Sequence, residues 1–209
     1  MSSHAARITR RPSRARVRRR RVAAVAAAAV LGAVVAAVVV SGVLDEAVRE
    51  ITLPLRHEDI IRQQAADKNV DAALIAAVIY EESRFRYQTS NAGARGLMQI
   101  TPATADFIAR RSGGIRFRQS DLATPQINIA YGAWYLRYLI DHYDGNEALA
   151  VAAYNAGQSN VDRWVKEAGG PAKFDSARHI PFPETRAYVH NVQERRQQYR
   201  DHYAAELGL

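Results

Sequence analysis

Cysteine is absent from all 209 residues. Disulfides, thiolate metal sites, a Cys nucleophile and lipid attachment to an N-terminal Cys are excluded together, so the fold must be held by its core. Acidic residues are absent from positions 1–21, which hold nine Arg. Subtracting those nine from the formal net charge of +8 leaves −1 for residues 22–209. A nucleic-acid-binding domain carries its basic charge on the folded surface, so a basic tail on a near-neutral remainder speaks against nucleic acid as a partner. Clustered metal ligands are lacking as well. The six His, at 4, 57, 142, 179, 190 and 202, form no i, i+4 pair, and activity is expected without metal or cofactor.

Charge of either sign is missing from residues 22–44, 23 positions of Ala, Val, Leu, Gly and one Ser. As a helix rising roughly 1.5 Å per residue this run reaches about 35 Å, enough for a hydrocarbon core of about 30 Å. A cleaved secretory signal is the alternative, but its apolar region is shorter, roughly 7–15 residues, and Val40, Ser41 and Gly42 make a poor cleavage site. Arg18–Arg21 before the run and Asp45–Glu46 after it place the N-terminus in the cytoplasm by the positive-inside tendency. The expected order is a basic cytoplasmic tail (1–21), a transmembrane signal-anchor (22–44), a linker (45–56) and one extracytoplasmic domain (57–209).

Period-2 strand patterns longer than a few residues are lacking in that domain, so an all-α fold is expected. Residues 57–68 read as a modestly amphipathic helix with Ile60, Ile61 and Ala65 inward, and Asp71 as the N-cap of the next. That second helix, from Ala72 to about Glu82, is apolar almost all round and must be central. Thr101-Pro102 and Thr124-Pro125 each pair a capping hydroxyl with Pro at the first helical position, and open two more helices. The second of these runs through Tyr131, Trp134, Tyr135 and Tyr138 to the Asp144-Gly145-Asn146 turn. Further helices follow over 147–156, stopped by Gly157, over 161–168, and from about Glu184 towards Tyr203 behind Pro181 and Pro183.

The central helix ends in Glu81-Glu82-Ser83. A carboxyl there meets the negative end of the helix dipole and loses water to apolar neighbours, and both effects favour a proton. Glu82 continues the stripe of Ile75, Val78 and Ile79, while Glu81 continues Leu74, Ala77 and Val78, so spacing prefers Glu82 only slightly. Downstream stand Gly93-Ala94-Arg95-Gly96-Leu97-Met98-Gln99-Ile100-Thr101-Pro102, then Ala153-Tyr154-Asn155-Ala156-Gly157, then Pro181 through Val189 in Pro-Phe-Pro-Glu-Thr-Arg-Ala-Tyr-Val. With Glu82-Ser83-Arg84-Phe85 these motifs resemble, in order and approximate spacing, the soluble lytic transglycosylase (SLT) domains of the lysozyme-like fold. The resemblance runs from about Asp71 to Val192 and includes the link Asp121-Leu122, Asn128-Ile129, Tyr135-Leu136.

The resemblance implies a catalytic acid at Glu82 with Ser83 as an orienting hydroxyl beside it. It puts Met98 and Gln99 along a saccharide cleft, Tyr154 and Asn155 at the cut site, and Glu184 and Tyr188 returning to the acid from the last helix. The chain departs from many relatives at Arg86-Tyr87 and Asn91, where an Asn-Pro pair and another Pro are common, and such changes can alter the strand length or peptide decoration accepted. The implied reaction breaks the MurNAc-GlcNAc β-1,4 bond of peptidoglycan without water, leaving 1,6-anhydromuramoyl ends. The expected partners are glycan strands, by the resemblance, and the cytoplasmic membrane, by residues 22–44; a monomer is expected. Two alternatives stay open at this level: a hydrolytic muramidase on the same fold, with Asp106 or Asp121 brought to the cleft, and an inactive membrane-tethered wall-binding protein. Of the ten Tyr and two Trp, all beyond residue 44, most read as core, and only Tyr154 has the support of a motif.

Overall fold

The computed structural model describes residues 30–32, 37–41, 43–44, 46–113 and 116–209. The basic tail and residues 22–29, 33–36 and 42 of the expected membrane span lie outside the described residues. Two compact units divide after Thr52. The first carries one helix, Val30–Thr52, 23 residues long and apolar enough to cross a membrane once. Helix thus continues to Thr52, through part of the stretch expected as a linker.

The second unit, residues 53–209, is all-α among the described residues, with only isolated bridges at Thr89–Arg95 and Arg95–Ile100. Its helices are α1 (Glu58–Lys68), α2 (Ala72–Ser83), α3 (Pro102–Ser112), α4 (Pro125–His142), α5 (Glu147–Ala156), α6 (Gln158–Glu167), α7 (Ser176–His179) and α8 (Pro183–Leu207). Several starts follow the capping chemistry of the sequence, but the Thr124 hydroxyl, expected to cap the helix at Pro125, makes no capping hydrogen bond. The Asp71 side chain accepts from the Ala73 N–H, Thr101 from the Thr104 N–H ahead of Pro102, and Asn146 from the Leu149 N–H. Each acceptor satisfies a backbone donor that the first helical turn leaves unpaired. His57 is not the first residue of α1; it sits before it at φ 60°.

α2 is the centre of the unit: ten of its twelve residues are buried, and burying each Leu, Ile or Val there contributes about 1.5–3 kcal/mol. It packs chiefly against α8, with α5 also on α8 and α4 on α5. α8 is the strut that joins these layers. Its Arg196 pairs with Asp71 and Glu147, tying the starts of α2 and α5 together. Its Tyr199 and Tyr203 donate to the Pro54 and Leu53 carbonyls at 2.7 and 2.9 Å, fixing where the chain comes into the domain. The α4 aromatics are half-buried and pack on the core, with the Trp134 and Tyr138 rings parallel at 5.7 Å and Phe107 of α3 edge-on to Tyr138 at 5.1 Å.

Candidate active site

α2 ends abruptly. Arg84 (φ 51°) and Phe85 (φ 58°) are consecutive left-handed residues, each a conformation costing a non-glycine residue about 1–2 kcal/mol. The packing holds them there: Phe85 is 5% exposed against the Tyr199 ring at 6.2 Å, and the Arg84 N–H closes the helix on the Tyr80 carbonyl at 2.8 Å. The reversed chain then comes back over the helix end, where Gln88 Nε2 donates to the Glu82 carbonyl at 3.0 Å. A cleft of about 410 Å³ opens here, lined by Glu81, Glu82, Ser83, Arg84, Arg86 and Gln88.

The two carboxyls of this turn have different fates. Glu81 forms an ion pair with Arg195 at 3.5 Å and accepts from Asn191 at 3.3 Å. Glu82 meets no cation among the described residues; the Tyr188 hydroxyl donates to its Oε1 at 2.7 Å. Burial pushes the Glu82 carboxyl from 4.5 up to about 7, with the Tyr188 hydrogen bond pulling it down and the Glu81 charge pushing it up. A carboxyl poised near neutral pH can give a proton and take one back. Tyr188→Phe removes a donor that favours the ionised form, so the Glu82 pKa is expected to rise further. A ¹³C titration of the Glu82 carboxyl in this variant measures it, and an unchanged midpoint would deny the hydrogen bond any hold on the proton.

The loop 93–100 is fastened beside Glu82 from three sides. Ser83 Oγ lies 2.7 Å from the Leu97 carbonyl and 3.1 Å from that of Ile79. The Tyr154 hydroxyl donates to the Met98 carbonyl at 2.8 Å. Asn128, 1% exposed, accepts the Met98 N–H at 2.8 Å and donates to the Arg95 and Leu122 carbonyls at 2.9 and 3.1 Å. Burial, and then the Glu82 charge, pushes the Tyr154 and Tyr188 hydroxyls well above the usual phenol range, so both remain donors.

The structure brings Glu82, Ser83, Gln99, Tyr154, Tyr188 and the Met98 backbone into one neighbourhood. The Met98 side chain itself is fully buried; Gly132 of α4 has no Cβ, and the thioether fills that slot, since a Cβ there would stand 2.2 Å from Sδ. Gln99, at φ 46°, turns its amide onto the Gly96 and Gln88 carbonyls at 2.8 and 3.1 Å. Asn155 is exposed at the end of α5 and accepts from Thr185 at 2.8 Å. Glu184 is exposed one turn before Tyr188 and forms no hydrogen bond or ion pair with Glu82. Sequence reasoning missed Asn128 as the clamp of the loop, although a lone amide on the apolar face of Ile129, Ala133 and Leu136 was its signal. Asn191 and Arg195 gave no local signal. Among the described residues no three His, Asp or Glu gather as metal ligands.

These elements, with one ion-paired and one desolvated carboxyl at the end of a central buried helix, have the lysozyme-like arrangement. A profile for the Transglycosylase SLT domain matches residues 59–176, and the chain belongs to that family. It is 34% identical over 148 residues to the soluble lytic murein transglycosylase of Salmonella typhimurium, covering 68% of this chain and 23% of that one. It is 30% identical over 169 residues to the membrane-bound lytic murein transglycosylase C of Edwardsiella ictaluri, covering 69% and 46%. Among solved structures, the 70 kDa soluble lytic transglycosylase of Escherichia coli superposes with a TM-score of 0.68 at 32% identity, covering 73% of this chain and 25% of that one. An inactive glutamate-to-glutamine mutant of the Pseudomonas aeruginosa lytic transglycosylase Slt gives 0.66, also at 32% identity, with 73% and 25% covered. The chain thus spans about a quarter of the length of the soluble relatives.

Proposed function

We propose that the chain is a peptidoglycan lytic transglycosylase that cuts the MurNAc-GlcNAc β-1,4 bond with Glu82 as its catalytic acid and base. The observation that carries this reading is one desolvated carboxyl, at about pKa 7, with no second carboxylate free beside it. Glu82 gives its proton to the glycosidic oxygen as the C1–O bond breaks and an oxocarbenium-like sugar forms. The muramoyl C6 hydroxyl then bonds to its own C1, and its proton returns to the Glu82 carboxylate. The muramoyl end becomes a 1,6-anhydro ring and no water is consumed.

Tyr188 holds the acid in place. Ser83 and Tyr154 hold the loop that carries Gln99 and the Met98 backbone against the saccharide, and Asn155 and Glu184, exposed on α5 and α8, are assigned to the saccharide by the family resemblance alone. A hydrolytic muramidase would need a second carboxylate, but Asp106 accepts from Gln119 at 2.8 Å and Asp121 from the Arg118 N–H at 2.8 Å, and neither lines the Glu82 cleft. The relatives' names, lytic murein transglycosylases, support the same reaction.

The enzyme works as a monomer on the outer face of the cytoplasmic membrane, N-terminus inside, and has no use for nucleic acid, metal or cofactor. The Arg-rich tail and the uncharged run support that topology. Mass spectrometry of muropeptides released from peptidoglycan is the test. Fragments ending in 1,6-anhydromuramic acid are expected; reducing ends throughout would give the second step to water and make the protein a lysozyme.

A further inference from the structure

We infer that Arg86 binds a carboxylate of the substrate's peptide stem at the mouth of the Glu82 cleft, an inference that rests on the peptidoglycan reading above. Arg84 and Arg86 line the cleft together with Glu81, Glu82, Ser83 and Gln88. The acidic neighbour best placed to neutralise them, Glu81, is already paired with Arg195. Arg84 rests its guanidinium over the Tyr80 ring, 5.7 Å from the centroid. The Arg86 side chain has no ion pair, hydrogen bond or ring contact among the described residues. The folded part of the chain is not basic as a whole, since residues 22–209 sum to −1 once the nine tail Arg are set aside. An uncompensated guanidinium in a polar concavity is therefore a local feature of this cleft.

The backbone makes it a placed feature as well. The two left-handed residues, Arg84 and Phe85, reverse the chain; Phe85 is pinned in the core; the Arg86 N–H returns to the Ser83 carbonyl at 3.0 Å and Gln88 to that of Glu82. Position 86 is thereby held within one short turn of the acid. A guanidinium fork matches a carboxylate with two parallel N–H donors. The N-acetylated sugars of the glycan backbone are uncharged, so the anions that reach such a fork are the free carboxylates of the stems.

The experiment uses the full chain in detergent micelles with Glu82→Gln, so that strands stay whole, and measures binding of soluble glycan strands free of attached polymers. One batch keeps its stem carboxylates and the other has them converted to amides by carbodiimide and ammonia. Binding of the carboxylate strands is expected to be tighter by about tenfold, the scale of a charge-assisted hydrogen bond. In Glu82→Gln/Arg86→Gln that difference should vanish while affinity for the amidated strands stays as it was, with an unchanged melting temperature. Equal affinity for both batches with Arg86 intact, or an equal loss on both in the Arg86 variant, overturns the inference and leaves the function standing. Binding to neither batch overturns the peptidoglycan reading itself and the inference with it.

Discussion

Glu82→Gln is expected to abolish cleavage while keeping the fold, because the amide nearly matches the acid in shape yet can neither donate the proton nor accept it back. General acid-base catalysis contributes about 10²- to 10⁴-fold, and a loss below about tenfold in a correctly folded variant would be too small for the role. Glu81→Gln, next to it, should keep substantial activity, since that carboxylate is held by Arg195 and Asn191. Equal damage from both substitutions would mean that the two carboxyls share one proton.

The same substitution has a stability signature of known sign. The folded-state pKa of Glu82, about 7, lies above the unfolded value of 4.5, so between these the native state binds more proton than the unfolded chain. Stability from this group is full below pH 4.5 and is lost as pH rises through 7. The burial of charge that results costs at most about 3 kcal/mol, at 1.36 kcal/mol per unit. Glu82→Gln should therefore melt above the parent at pH 8 and together with it near pH 4.5. A gain of the same size at both values would trace to packing, not to the buried charge. A group kept at a site against stability is what a catalytic role requires.

Helix starts were legible because a few residues write them locally: Asp71, Thr101 and Asn146 cap as their positions demand, and Pro183 opens α8. The end of α8 was not legible, nor the short helix at Ser176–His179, since neither is marked by a strong apolar period. The site was legible as a set of motifs and only partly as geometry. Helical spacing scarcely separates Glu81 from Glu82; what separates them is one face of α8, where Tyr188, Asn191 and Arg195 stand at i, i+3 and i+7. Those contacts bridge more than a hundred residues of sequence, and no local pattern reports them. Met98 likewise reads as a cleft residue until Gly132, 34 positions on, is seen to leave it a slot in the core.

Gly96→Ala is expected to be the most damaging substitution outside the acid, for two separable reasons. Gly96 sits at φ +80°, and a Cβ there would come 2.1 Å from Asn128 Nδ2 and 2.5 Å from its Cγ. The left-handed backbone costs alanine about 1–2 kcal/mol, and overpacking adds about 1–3 kcal/mol. Asn128 cannot swing aside, because its amide holds the Met98 N–H and the Arg95 and Leu122 carbonyls. The loop must move instead, carrying the Met98 backbone and Gln99 away from Glu82. A displacement near 1 Å costs about 10²-fold in rate, so activity should fall by about that factor in a protein that still folds. A double-mutant cycle tests the cause. Asn128→Ala alone leaves the Met98 N–H and the Leu122 carbonyl without this partner, at about 1–3 kcal/mol each where water cannot reach, while the Arg95 carbonyl keeps the Ile100 N–H at 3.0 Å. If the clash with Asn128 is the larger part of the Gly96 effect, the double variant should be more stable than the sum of the single losses by about 1–3 kcal/mol, as directly touching residues couple. Strict additivity would leave only the backbone conformation of Gly96 and would release Asn128 from its part in fastening the loop.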